Sequence, residues 1–492
     1  MPSPSTFSQS SLGVPVRDPR PAADGRLQRL LVGLAHKHGV PAAQLVVHDG
    51  GRSGSAVAGE ITAEAKFPVG SITKAFTAAL AMLLVADGDL DPDDPLGEHL
   101  DGLGPQVGRP TIGQVLSHTG GLPAALGAAA DGTASARRYL RACRDAGLVQ
   151  PPGLGFSYSN TGYVLAGYVV EAITGMSWWE AVDTMLLGEL GIDAAFVVEP
   201  GARRRSGAHL SGHAVHAETG RARPVAQTLT PAEAAAGALA LSAEDLATFG
   251  RMFCGGAGPL PVDLAGLMRR PVPGAEPFGL ADGWGLGLAG YRGADADCRC
   301  SGVPGGGAPG PRRSLGCHCC SGVPGGGAPG PRRSLGCLWT GHDGTADGTS
   351  CHLRIDAEHG RIVALTTNGS TGSALWTDLV AALRADGLPV GDYELPRDLA
   401  RAARPAADLT GRYTNGDLEY QVDVRADGGA VLVVDGEVYP ELALLRDGSF
   451  SVREPGTGRR IIGGRFLTDP ATGTVSAMQA GGRVARRRLR AC

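Results

Sequence analysis

The sequence predicts an α+β fold: an antiparallel sheet flanked by helices, followed by a separate antiparallel β-barrel. Three observations predict it. Residues 110–190 carry mainly helical apolar spacing. Strand patterns return at Trp284–Tyr291, Leu338–His342 and His352–Thr367. From Leu409 onward, short alternating runs are divided by Asp427-Gly428-Gly429, Asp435-Gly436 and Asp447-Gly448, which are hairpin turn chemistry.

Taken in order, Met1 to Gly25 is rich in Pro and Ser and has no apolar run after a basic start. It is expected to be a disordered arm rather than a signal peptide, which leads to an expected cytoplasmic location. Leu27, Leu30, Leu31 and Leu34 have helical spacing, and Leu45-Val46-Val47 reads as a short strand. The run Phe67–Lys74 flows into the apolar helix Ala75–Leu84. Tyr158 falls on a turn before a second helix, Tyr163–Thr174. Gly285-Leu286-Gly287-Leu288-Ala289-Gly290 matches a phosphate-loop pattern, but no helix follows, so it is expected to be a Gly-rich strand.

Residues 294–337 interrupt this pattern. Cys300–Cys317 recurs identically as Cys320–Cys337, and a Gly/Pro-rich unit of this kind cannot bury a core. An unstructured, duplicated insertion is expected. Its Cys-His-Cys-Cys run lacks the short paired spacing of zinc sites, and no metal or other cofactor is expected. His209, His213 and His216 lack an accompanying glutamate and are expected on a surface strand or turn. Arg486-Arg487-Arg488 is expected on a solvated strand face. The expected organisation is an arm (1–25), a catalytic region (26–395), a linker rich in Pro, Ala and Arg (396–405), and the barrel (406–492).

The chain has 492 residues, 43% of them hydrophobic, which is enough for more than one core. A net charge of −4 gives no general attraction to nucleic acid or anionic membrane, and neither is expected as a partner. No apolar run is expected to approach the length and hydropathy of a membrane span.

Three short motifs carry chemistry. Ser71 and Lys74 are one helical turn apart, so the amine can reach the hydroxyl and act on its proton. Free backbone N–H groups at a helix start can hold an oxyanion. Tyr158 can serve as an acid or base, and Asn160 offers both a donor and an acceptor. His342 lies in the Gly-flanked run Trp339-Thr340-Gly341-His342-Asp343-Gly344-Thr345. Singly, these motifs also read as a helix cap, an ordinary turn and a surface histidine.

In this order and with these separations the motifs resemble the serine β-lactamase/penicillin-binding-protein superfamily, of the class C type. Leu116-Ser117-His118-Thr119-Gly120-Gly121-Leu122-Pro123 looks like that family's H-T-S-G-L segment, and the resemblance covers residues 26–375. It implies a β-lactamase/transpeptidase-like sheet. The barrel is similar to the lipocalin-like tail of some members. By resemblance Ser71 is the nucleophile of an acyl-enzyme, and Lys74 and Tyr158 share the base and acid roles. Asn160 holds Lys74 or the substrate. His342, Gly344 and Thr345 line the substrate strand, with the N–H groups of Ser71 and Thr345 as the oxyanion hole.

Two residues depart from the pattern. His342 replaces the usual lysine, and its neutral form is expected because Lys74 lies nearby. Asp343 replaces a small residue. Both point away from efficient β-lactam hydrolysis.

The expected function is a serine acyl-enzyme hydrolysing an amide or ester, like the family's D-amino-acid peptidases and esterases. One alternative is a transacylase or thioesterase that passes its acyl group to an amine in natural-product biosynthesis. Another is a non-catalytic penicillin-binding sensor. The expected partner is a small-molecule or peptide acyl donor, joined in the transfer alternative by an amine acceptor or a carrier-bound acyl group.

Overall fold

The computed structural model describes residues 25–126, 135–198, 208–216, 219–255, 258–293, 338–394, 406–425, 429–453, 455, 460–469 and 471–488. Apart from Gly25, the expected arm lies outside the described residues, as do the duplicated insertion and the linker 396–405.

Helix α1 (Gly25–His38) leads into β1 (Ala43–Asp49), which turns back through Gly50 and Gly51 to β2 (Arg52–Ala58). Farther along come β3 (Gly283–Trp284), β4 (Ala289–Arg292), β5 (Leu338–Ala346), β6 (Thr349–Asp356) and β7 (Arg361–Thr367). These seven strands form one sheet in the order β2-β1-β7-β6-β5-β4-β3, each antiparallel to its neighbours. Strand parity divides the core. Leu45, Val47, Val363 and Leu365 pack on α1 and on α7 (Gly372–Ala385), while Val46, Ile362 and Ala364 face the larger helical core.

Within that larger core, α2 (Thr73–Asp87) is buried on all sides from Thr73 to Leu84 and stops at Gly88, whose φ of 80° closes the helix. Here the sequence expectation needs correction. Gly70–Asp87 is long and apolar enough, at a mean hydropathy of 1.3, to cross a membrane, but 78% of it is buried inside the protein. Around α2 lie α3 (Ile112–Leu116), α4 (Asn160–Thr174), α5 (Ala234–Gly237) and α6 (Ala243–Arg251), with Phe76 and Phe249 stacked at 3.9 Å.

The glycine run at 285–290 is also corrected. Gly285 to Leu288 form the turn between β3 and β4 rather than a continuous strand. Gly287, at φ 85°, lies against Ala78 of α2 and donates its N–H to the Leu116 carbonyl at 3.1 Å. A side chain there would overlap the helix. Of the three histidines set aside above, His213 falls within the short strand Gly212–Val215, and no metal-ligand cluster occurs among the described residues.

The C-terminal part is a closed barrel of eight antiparallel strands: β8 (Gly411–Asn415), β9 (Leu418–Val424), β10 (Ala430–Val434), β11 (Glu437–Leu444), β12 (Ser449–Arg453), β13 (Arg460–Thr468), β14 (Val475–Ala480) and β15 (Arg483–Arg487). Pairing of Tyr413 with Arg487 closes β8 on β15. Tyr413, Leu432, Phe450, Phe466 and Met478 fill the barrel. Asp435 and Gly436 both have positive φ, 47° and 90°, as a two-residue hairpin turn requires.

Candidate active site

Ser71 lies in a single 3-10 turn, Gly70–Ile72, that runs directly into α2. Two glycines allow this turn to touch β5. A Cβ on Gly70, at φ 51°, would overlap the Thr345 carbonyl, and one on Gly344 would overlap the Val69 carbonyl. Gly344 therefore makes room for the turn that carries Ser71. Thr345 is exposed beside it.

Lys74 is only 1% exposed. Its Nζ lies 3.0 Å from Ser71 Oγ and donates to the Ala236 carbonyl at 2.7 Å. Its pKa is lowered to about 7, chiefly by burial and also by the charge of Arg483, with Glu233 opposing the change. Near neutral pH a large fraction of this amine is therefore uncharged, with its lone pair available to the Ser71 hydroxyl. Asn160 was expected to hold Lys74 or the substrate. In the structure the amine is held by Ala236 at the end of α5, because α5 packs directly on α2. The Asn160 Oδ1 is buried without a hydrogen-bond partner.

Tyr158 stands beside the amine, its ring centre 5.2 Å from Lys74 Nζ. Burial pushes the phenol up to about 12, while a hydrogen bond with Ser71 and the charge of Arg483 act against that rise. The phenol stays protonated at neutral pH and can donate.

His342 faces the same space, 6.5 Å from the Tyr158 ring. Its Nδ1 lies 2.6 Å from the Asp343 carbonyl, which can only accept, so the ring proton is assigned to Nδ1. Nε2 then presents a lone pair, and it is buried without a partner. Burial, then the charge of Lys74, lowers the imidazole to about 4. The ring is neutral at physiological pH.

Asp343 points to the opposite face of the sheet. The fully buried guanidinium of Arg354 contacts its two carboxylate oxygens at 2.6 and 3.1 Å and also Asp392 at 2.6 Å, while His352 lies 2.7 Å from Asp343. Burial alone would raise this carboxyl, but Arg354 and His352 hold it well below the usual range. The departure at 343 is thus a brace behind the His342 strand.

Two contributors escaped the sequence reading. His118, at φ 58°, accepts Ser157 N–H through its carbonyl at 2.9 Å and Ser159 N–H through Nδ1 at 3.1 Å, with its ring 4.3 Å from that of Tyr158. Its place in the Leu116–Pro123 segment was the available signal. Arg483 comes from the barrel, with its guanidinium carbon 5.3 Å from the Tyr158 ring centre. No motif marked it.

The β-lactamase family model matches residues 27–385. Penicillin-binding protein 4 of Amycolatopsis lactamdurans is 30% identical over 409 residues, covering 77% of this chain and 94% of that protein. The crystal structure of SurE superposes with a TM-score of 0.77 at 37% identity, covering 94% of this chain and 98% of that one. Its D-Leu complex gives 0.74 at 36% identity, covering 94% and 99%.

Proposed function

This chain belongs to the β-lactamase family of serine hydrolases and acyltransferases, and we propose that it forms an acyl-enzyme on Ser71 from an amide or ester substrate and hydrolyses it. The observation that carries this reading is Lys74 Nζ, 3.0 Å from Ser71 Oγ and shifted to about 7 chiefly by burial.

In this reading neutral Lys74 takes the Ser71 proton as Oγ attacks the carbonyl carbon. That choice follows from the two environments: the amine titrates near neutrality, whereas the phenol of Tyr158 remains protonated. The oxyanion is held by the N–H groups of Ser71 and Thr345. As the bond to the leaving group breaks, Tyr158 donates its proton to the departing atom and recovers one from Lys74. Water then attacks the acyl carbon by the reverse sequence of transfers. Asn160 and the Nε2 lone pair of His342 orient the substrate, since both atoms are buried without a protein partner. The D-Leu captured by the solved relative supports a D-configured residue in the substrate.

A second reading, transfer to an amine, is favoured by Arg483. The lysine that many relatives carry at position 342 is absent, and the cation at this site comes from the barrel instead. A guanidinium there can hold the carboxylate of an amino-acid or peptide acceptor. The two outcomes separate in one experiment. The protein is incubated with the p-nitrophenyl ester of N-acetyl-D-leucine and increasing amounts of an amino acid or a neutral amine. Acid as the sole product across the panel supports hydrolysis. Amide formation that saturates with the amino acid supports transfer.

A further inference from the structure

One side chain of the barrel ties down both ends of the segment that carries Tyr158 and Asn160. Asn415, at the end of β8, is fully buried. Its Oδ1 accepts the Ala124 N–H at 2.7 Å, and its Nδ2 donates to the Val484 carbonyl at 2.8 Å and to Ser157 Oγ at 3.3 Å. The N–H of Ala124 can only donate and the carbonyl of Val484 can only accept, so the amide orientation is set. Ser157 immediately precedes Tyr158. Ala124, in turn, accepts the N–H of Asn160 at 2.8 Å.

The hairpin joining β14 to β15 reinforces this clamp. Tyr158 donates its N–H to the Gly482 carbonyl at 3.0 Å, and Val484 N–H reaches Ser157 Oγ at 3.2 Å. The hairpin closes on the site through Gly482, at φ 72°, where a Cβ would overlap Leu280.

We propose that Asn415, acting through Ser157, is a positioning residue for Tyr158, so that the barrel aims the phenol at the departing group. The inference rests on the proton-donor role given to Tyr158 above. Asn415 touches no reacting atom. Its effect is geometric: a proton donor set about 1 Å out of line loses much of its catalytic contribution.

The test compares two esters of N-acetyl-D-leucine. p-Nitrophenolate departs as an anion without help, whereas methoxide must be protonated as it leaves. kcat/KM reports acylation for both. Tyr158→Phe should slow the methyl ester about 100- to 10,000-fold and the p-nitrophenyl ester far less. Asn415→Asp keeps the acceptor for Ala124 and loses both donors; Ser157→Ala removes the link with a minimal change in volume. Both should show the same leaving-group signature as Tyr158→Phe and add little in combination with it.

A purely structural role lowers the two esters equally, in step with the folded fraction read from thermal melts. Equal losses in Asn415→Asp and Ser157→Ala, with the signature intact in Tyr158→Phe, would overturn the inference alone. Absence of the signature in Tyr158→Phe itself would overturn the donor role, and the inference with it.

Discussion

Replacing Arg483 with alanine should raise the pH at which Ser71 becomes reactive. Arg483 and Lys74 lie on a common ring: the guanidinium carbon is 5.3 Å and the amine 5.2 Å from the centre of Tyr158, so the two charges are at most about 10.5 Å apart. At an effective dielectric of about 20, two unit charges at that distance repel by about 1.6 kcal/mol, a little over one pKa unit. Arg483 is half-buried, and solvent screening reduces this, leaving an expected rise of about half to one unit. The sign follows from the repulsion. A neighbouring cation disfavours the ammonium form, so removing it favours that form and the midpoint moves upward from about 7. The assay is the rate of Ser71 modification by a neutral activated ester from pH 5 to 9, followed by intact mass in wild type and Arg483→Ala. A midpoint that stays put or moves downward would refute the electrostatic coupling of barrel and amine.

Lys74→Met tests the cost of burying the amine. The folded-state pKa is lowered from 10.5 to about 7, so the unfolded chain holds the extra proton between those values, and native stability rises with pH across that window. The full penalty, about 5 kcal/mol, applies below pH 7. Loss of the hydrogen bond to Ala236 offsets part of it, so the variant should gain about 2–4 kcal/mol at pH 6 and much less at pH 10 in urea titrations. An equal change at both pH values would contradict the shifted pKa. His342→Lys places a second cation beside Lys74 and should move the reactivity midpoint below that of wild type. Wild type itself should show no separate histidine step between pH 5 and 7, because His342 titrates near 4. A histidine step in that range, abolished in His342→Lys, would count against a neutral ring.

What could be read from the chain divides by the reach of each interaction. Ser71 and Lys74 meet because they are one turn apart, and the apolar run after them is visible as a helix without any tertiary information. The alternation that puts Leu45 and Val47 on one face and Val46 on the other is likewise local. The barrel announced itself through its turns. Contacts between distant segments left no such trace. Asn415 reaches Ser157 across more than 250 positions, and Arg483 arrives beside Tyr158 from the last barrel hairpin. Asp343 could be noticed as a departure, but its partner Arg354 is set by the register of β5 on β6, in which Gly341 faces Arg354 and Asp343 faces His352. The glycines at 285 and 287 were misread for a related reason: their lack of side chains serves close approach to Met268 and Ala78 rather than an extended strand.

The central claim is that a covalent acyl-enzyme forms on Ser71. Intact-mass spectrometry of the protein mixed with N-acetyl-D-leucine p-nitrophenyl ester, quenched in acid within seconds, tests it most directly. The account predicts a mass increase of a single N-acetyl-leucyl group, located by peptide mapping to Ser71 and absent from Ser71→Ala. Equal labelling of Ser71→Ala, or an adduct mapped to any other residue as the turnover species, would contradict it.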